Sequence, residues 1–313
     1  MIYTQLGKTG LTVSRLGFGG AALGNQYGPI QDSEAIQAVH AALDQGITFF
    51  DTSAFYGRTL AETRLGQALV GQRQNVILAS KGGRIDRDEF DFSTAGILNM
   101  CAASLRRLQT DYLDVYQLHD IEFGDPNQII NEAIPALQQL KQEGKVRFIG
   151  ITGYPLPLLR QIIETQQLDV TLSYCHYNLL NTTLNDVLVP AVKANQMGLI
   201  NGSVTHMGVL TDQGPPPWHP APAPVKQIGQ DVAAFCRRQG TPIAQLAIQF
   251  ALQNDAVDVT LLGTRTVAEL NESVQLVGQP PDPALLALVL AMIEPVANIS
   301  WSSGQWEPHE ETR

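Results

Sequence analysis

Cysteine is scarce. Cys101, Cys175 and Cys236 are three in 313 residues, far apart and odd in number. They suggest neither a disulfide framework nor a metal site, and a reducing cytoplasm is the expected location. No run of Lys or Arg offsets the formal net charge of −10 and a pI near 5.0. Nucleic acid and anionic membranes are therefore not expected as partners. No apolar stretch is long enough to span a bilayer. The start, Met1-Ile2-Tyr3-Thr4-Gln5, lacks the basic-then-apolar order of a signal peptide. No clustered ligand set calls for a metal.

What is present is core. With 44% hydrophobic residues the chain suits one large or two ordinary domains. A (β/α)8 barrel takes about 250 residues, so one barrel with extra loops fits. Tyr3–Leu6, a turn at Gly7-Lys8-Thr9-Gly10 and Leu11–Ser14 read as a hairpin able to plug a barrel bottom. From Leu16 onward, short apolar runs alternate with helical stretches through eight units. The runs are Arg15–Gly20, Ile47–Phe50, Val76–Ala79, Leu113–Tyr116, Val146–Thr152, Val170–Ser173, Leu199–Val204 and Val257–Gly263. Such alternation argues for parallel strands. A doubly wound open sheet shows the same local pattern. The barrel is preferred because the chemistry-bearing strand ends are spread along the chain. Pro283–Pro295 reads as an extra helix and Ile299–Arg313 as a loose tail.

The most informative stretch is Gly46-Ile47-Thr48-Phe49-Phe50-Asp51-Thr52-Ser53-Ala54-Phe55-Tyr56-Gly57. A buried strand ends here in a cluster of polar residues, at the end where α/β folds bind ligands. On this stretch alone, a strand-ending aspartate and a solvent-facing tyrosine explain the residues slightly better than a site does. Two later runs change the balance. Val76–Gly82 carries Lys81 at its end and Tyr112–Asp120 carries His119. Four titratable groups at one rim are hard to dismiss as structural.

This pattern resembles the aldo-keto reductase superfamily, whose tetrad is Asp, Tyr, Lys and His in this order. The segment Asp51 to Gly57 is similar to the family's DTA-x-x-YG, Ser80-Lys81 to its lysine and Gln117-Leu118-His119 to its histidine. The resemblance implies that Asp51, Tyr56, Lys81 and His119 are catalytic. Tyr56 exchanges a proton with the substrate oxygen, Lys81 lowers the phenol's pKa, Asp51 holds Lys81, and His119 orients the oxygen. Within the superfamily, Ser173–Tyr177 and Met207–Pro216 look like the L-galactose dehydrogenase branch. That branch implies oxidation of an aldose at C1, for a sugar of the L-galactose or L-fucose type, to the lactone. Phe55 and Trp218 join Tyr56 and His119 as expected substrate contacts.

The resemblance also implies a nicotinamide cofactor. Gly20 lets the backbone approach a ligand closely, and Asp51 is counted among the cofactor contacts as well. Thr152 keeps a hydroxyl where relatives bind the carboxamide, while Gly153 lacks their amide. Tyr174 offers a ring to stack on nicotinamide, opposite a small Gly202. Ser203, Thr205, Gly208 and Leu210 match the pyrophosphate loop. Gly263, Thr264, Arg265, Glu269 and Ser273 match the adenosine end. Arg265 suits a 2′-phosphate and Glu269 repels one. The branch implies NAD, with NADP the alternative.

Two loops are conspicuous. Thr211–Pro224 holds six prolines, which excludes helix and strand. It is either a lid or substrate wall around Trp218 and His219, or an ordinary connection. Gly82–Phe92, with Arg84, Asp86, Arg87, Asp88 and Glu89, reads mostly as a solvated face. The expected partner is a small-molecule sugar, and the expected state a monomer or weak homo-oligomer. The rival readings are a general NADPH-dependent aldehyde or ketone reductase and a non-catalytic subunit related to potassium-channel β subunits.

Overall fold

A computed structural model describes residues 1–306. β1 (Tyr3–Gln5) and β2 (Thr12–Ser14) pair antiparallel as a hairpin. Its turn packs under the barrel, where Gly7 N donates to Asp258 Oδ2 at 3.1 Å and Lys8 N to Gln196 O at 2.8 Å. Leu6, Leu11 and Val13 enter the apolar cluster inside the barrel. The expected plug is therefore present.

The barrel strands are β3 (Leu16–Gly19), β4 (Phe49–Asp51), β5 (Ile77–Gly82), β8 (Leu113–Leu118), β9 (Val146–Gly153), β10 (Val170–Tyr174), β11 (Gly198–Gly202) and β12 (Val259–Gly263). All eight run parallel, and β12 pairs back onto β3, so the sheet closes and the open-sheet alternative falls. Phe49, Ala79, Val115, Leu172, Ile200 and Val259 fill the interior. A larger apolar layer separates the strands from the surrounding helices. A further cluster joins Val209 and Leu210 to the helices Ala223–Arg238, Ile243–Leu252 and Pro283–Ile293.

Three local features are not visible in the strand–helix alternation. The first helix, Asp32–Asp44, is capped by Gln31 in a reciprocal box with Glu34, although Ser33 beside it is the more usual capping residue type. The helical stretch Pro126–Gln142 contains a π turn at Ile129–Ala133, just before Pro135, whose missing N–H breaks the regular ladder. Leu184–Ala194 divides at Leu188, ahead of Pro190.

The two conspicuous loops also differ from a plain surface reading. Gly82–Phe92 forms a small hairpin, β6 (Arg84–Asp86) with β7 (Glu89–Phe90), which brings Arg84 to the rim. The part of the tail that is described is fastened down. Asn298 N donates to Leu180 O at 2.9 Å, Ser303 Oγ to Glu122 Oε1 at 3.0 Å and Gln305 N to Glu122 O at 2.8 Å. Trp301 stacks on Tyr154 with centroids 4.5 Å apart and stands edge-on to His206 and His219. Residues 307–313 of the expected loose tail lie outside the described residues. His219 bonds to His206 O at 2.9 Å and accepts from Ala221 N at 3.0 Å, tying the proline-rich loop to the loop after β11.

Those buried histidines make stability pH-dependent. Burial pushes His206 down to about 3, helped by His219 and His176, and burial pushes His176 down to about 4. The unfolded chain takes up these protons near pH 6.5 and the folded one does not. Stability is therefore full above pH 6.5 and is lost as pH falls. His206→Phe keeps a ring in place without the proton. It should shrink the acid-side loss by about 1.4 kcal/mol per pH unit between pH 6.5 and 4.5 in denaturant titrations. An unchanged slope would show that His206 does not resist protonation.

Tyr56 depends on a close backbone contact. A Cβ added at Gly24 would lie 2.6 Å from Tyr56 C and 2.7 Å from Gly57 N. Gly24→Ala should cost about 1–3 kcal/mol of stability. It should also lower turnover beyond what unfolding explains, because the strain falls on Tyr56. Denaturant midpoints and kcat measured together test this, and wild-type values for both would refute it.

Candidate active site

Parity along the strands assembles the site. Phe49, Ala79 and Val115 face the barrel interior. Asp51 and Lys81 each lie two residues further on, and His119 lies four beyond Val115, so all share the inward side at the C-terminal rim. Tyr56 comes from the turn after β4, where its N donates to Ser53 O at 3.1 Å. Lys81 Nζ donates to Asp51 Oδ1 in a short ion pair, to Thr52 O at 2.8 Å and to Tyr56 Oη at 3.3 Å. Asp51 is 2% and Lys81 1% exposed. The His119 ring stands edge-on to Tyr56, with centroids 5.5 Å apart, and 5.7 Å from Phe55. The four residues read from the strand ends therefore do meet.

Burial sets the electrostatics. It pushes the Asp51 carboxyl above its usual range, against the pull of Lys81. It works against the Lys81 ammonium, but Asp51 and Tyr56 together leave that group above the ordinary lysine value. For Tyr56 burial raises the phenol, and Lys81 opposes it only in part, so the net shift is upward. The expectation that Lys81 brings this phenol below its ordinary value is thus overturned: desolvation outweighs the nearby ammonium. Burial also drives His119 down to about 3, so the imidazole is neutral near pH 7.

Several residues at the rim have no signature in the local sequence. The Arg84 guanidinium lies 3.9 Å over the Phe55 ring and within 5.4 Å of Phe90 and Phe123. It pairs with Asp120, whose Oδ2 is 3.7 Å from His119 Nε2. Asp120 follows His119 directly, and that adjacency was the available signal. Glu122 is 1% exposed. Burial, then Asp120, push its carboxyl up to about 8. Its Oε1 accepts from Tyr154 N at 3.1 Å.

The expected cofactor residues divide into those at the rim and those set back. A Cβ on Gly20 would lie 2.7 Å from Asp51 O, so the glycine permits the close packing there. Thr152 Oγ1 accepts from Asp120 N at 3.0 Å. A Cβ on Gly153 would fall 2.8 Å from Glu122 Oε2, so Glu122 crowds the space beside it. Tyr174 ends β10 in register with Gly202, where an added Cβ would lie 3.4 Å from the Tyr174 Cβ. Ser203, Thr205 and Gly208 lie in the turn after β11, with Ser203 and Gly208 at positive φ. Leu210 buries its side chain in the second apolar cluster, leaving only backbone for a ligand. Gly263 pairs with Gly19 of β3. Arg265 is held by Glu269, and Ser273 Oγ donates to Glu269 O at 2.9 Å. Trp218 is 48% exposed, and among the described residues its one aromatic neighbour is His219.

This set fits a nicotinamide dinucleotide. Asp51 Oδ2, Thr52 Oγ1 and Thr264 Oγ1 are buried polar atoms without partners among the described residues. Tyr174 stands beside Gly202, and glycines line β3 and β12 where a side chain would fill the rim. Among the described residues no group of three His, Cys, Asp or Glu could hold a metal, and no helix is long and apolar enough to cross a membrane.

Comparison with known proteins agrees with the geometry. Residues 15–283 match the Aldo/keto reductase family. The chain is 44% identical over 309 residues to an L-galactose dehydrogenase of Arabidopsis thaliana, covering 96% of each chain. It is 30% identical over 295 residues to a D-threo-aldose 1-dehydrogenase of Pseudomonas sp, covering 85% of this chain and 90% of that one. The holo form of an aldo-keto reductase from Bacillus halodurans superposes with a TM-score of 0.77 at 27% identity, covering 98% of this chain and all of that one. The closed parallel barrel, the rim constellation and these similarities together show that the chain belongs to the aldo/keto reductase family and is an oxidoreductase using a nicotinamide cofactor.

Proposed function

We propose that the chain oxidises the C1 hydroxyl of an aldose of the L-galactose or L-fucose type to the lactone, with NAD as the preferred cofactor. The observation that carries this reading is the Lys81 ammonium, bonded at once to Asp51 and to Tyr56 Oη. That arrangement lets a phenol exchange protons inside a buried site. The sugar class rests on the aldose dehydrogenases to which the chain is similar. The Arg84–Asp120 pair beside His119 adds support, since a hydroxyl-rich substrate hydrogen-bonds to such a pair and an apolar aldehyde does not.

A bound nicotinamide supplies the hydride acceptor. Thr152, Tyr174 and the turn Ser203–Gly208 would hold its nicotinamide and pyrophosphate parts, and Thr264 with Glu269 its adenosine end. The protein's own task is the proton. Tyr56 as phenolate takes the proton of the C1 hydroxyl while His119 holds the same oxygen. Lys81 stabilises the phenolate and Asp51 keeps Lys81 charged. Because burial leaves Tyr56 protonated at neutrality, its resting form is a donor, and oxidation waits on loss of that proton.

The surroundings of Arg265 support the reading that NAD is preferred. Arg265 Nε and Nη2 both donate to Glu269 Oε1, at 3.2 and 2.7 Å, and Arg265 N donates to Glu269 Oε2 at 2.8 Å. Nη1 donates to Tyr27 O at 3.2 Å. The guanidinium is committed on both edges, and a 2′-phosphate would have to displace a carboxylate that repels it.

Tyr56→Phe deletes only the hydroxyl. It should reduce kcat by roughly 10²–10⁴-fold while cofactor Kd stays near the wild-type value. In wild type, aldose oxidation should rise with pH from 6 to 9, by up to about tenfold per unit, wherever chemistry limits the rate. Near-normal kcat in the variant, or a flat profile, would remove Tyr56 from the role. For the cofactor, wild type should bind NAD more tightly than NADP, and Arg265→Ala should leave NADP weak. Tighter NADP binding in wild type, lost by roughly tenfold to hundredfold in Arg265→Ala, would reverse the assignment.

A further inference from the structure

Ser53 has no part in the steps above, yet it touches His119. The residue is fully buried just beyond the end of β4. Its Oγ accepts from Phe55 N at 3.1 Å and lies 2.9 Å from His119 Nδ1. Among the described residues the hydroxyl has no other hydrogen-bond partner. A serine hydroxyl carries one proton and two lone pairs. One lone pair is used by Phe55 N–H. If Nδ1 carried the imidazole proton, Oγ would accept a second time and its own proton would be buried with no acceptor. That arrangement bears the full desolvation penalty of an unmade hydrogen bond. If Nδ1 is bare, the serine proton bonds to it and every group is satisfied.

The other face of the ring gives the same answer independently. His119 Nε2 lies 3.7 Å from Asp120 Oδ2, too far for a hydrogen bond. A bare Nε2 would point a lone pair at a carboxylate, whereas an Nε2–H is attracted to it. Asp120 Oδ2 is already engaged by Arg84. Among the described residues the Nε2–H therefore has no hydrogen-bond acceptor of its own and remains available to a ligand.

We propose that Ser53 is a positioning residue that fixes His119 as the Nε2–H tautomer, so that the imidazole can only donate to the oxygen on C1. The kinetic part of this proposal rests on the reading that His119 meets that oxygen; the tautomer itself does not. The consequence is a division of labour. A donating Nε2–H leaves the hydroxyl proton facing Tyr56 and also stabilises the carbonyl oxygen of the product. The opposite tautomer would present a bare nitrogen, compete with Tyr56 for the proton and repel the carbonyl oxygen.

The test is ¹⁵N NMR of protein labelled in histidine, with His119 assigned by the signals lost in His119→Gln. Wild-type His119 should show a pyridine-like Nδ1 and a pyrrole-like Nε2. Ser53→Ala should give a mixture of tautomers and lower kcat about tenfold, with KM and cofactor Kd little changed. Ser53→Thr, which keeps the hydroxyl, should restore both the single tautomer and most of kcat. A wild-type Nδ1–H signal would overturn the proposal, as would a Ser53→Ala protein with unchanged tautomer and unchanged kcat. The two readings fail separately. Undiminished turnover in His119→Gln would reject a role for His119 at the substrate oxygen, whereas the NMR signature would still decide what Ser53 does to the ring.

Discussion

An ammonium buried at the mouth of a barrel is the constraint from which the rest follows. Lys81 is almost without solvent, and an isolated charge there would be driven to neutrality. Three oxygens prevent that: the Asp51 carboxylate, the Thr52 carbonyl and the Tyr56 hydroxyl. All three come from the six residues that end β4 and begin its loop. The pairing of β4 with β5 is therefore fixed at its rim end by charge as well as by the ladder. A slip of one residue would turn Lys81 out of the interior and leave Asp51 alone inside it.

A second charged pair lies across the site, and its effect is opposite in kind. Arg84 and Asp120 largely cancel each other beside His119, and burial then decides the state of the imidazole. The site thus contains a lysine held positive and a histidine held neutral beside one phenol. Only the lysine owes its state to a carboxylate, since Asp120 by itself would favour the imidazolium. Glu122, pushed toward its acid form, can lie close to Asp120 without adding a further full charge to the rim.

The sequence discloses what is local and periodic. Eight short apolar runs with polar residues at their C-terminal ends, together with the resemblance of Asp51–Gly57, Ser80-Lys81 and Gln117–His119 to a known family's motifs, pointed to the barrel and the four rim groups. It conceals what depends on distant partners. The charges of Gly82–Phe92 read as a solvated face because nothing nearby shows that Phe55 and Asp120 will receive Arg84. The last turn of chain reads as loose because Trp301 finds Tyr154 and two histidines only after the barrel closes. Gln31 caps its helix where a neighbouring serine looks the better cap, since only the built turn shows which side chain reaches the free N–H groups. The upward shift of Tyr56 could not be read at all, because its sign depends on how much water reaches the ring.

The fastening of Asn298–Gln305 onto Leu180, Tyr154 and Glu122 bears on how the protein is made. Every residue of the rim tetrad is synthesised by position 119, whereas Trp301, which stacks on Tyr154, follows only after β12. β12 must also emerge before β3 gains its second neighbour. The proton-transfer groups are thus synthesised early and wait, on an unclosed sheet, for β12. A chain cut short after the helix Pro283–Ile293 would keep its chemistry-bearing residues while lacking Trp301 on the Tyr154 ring.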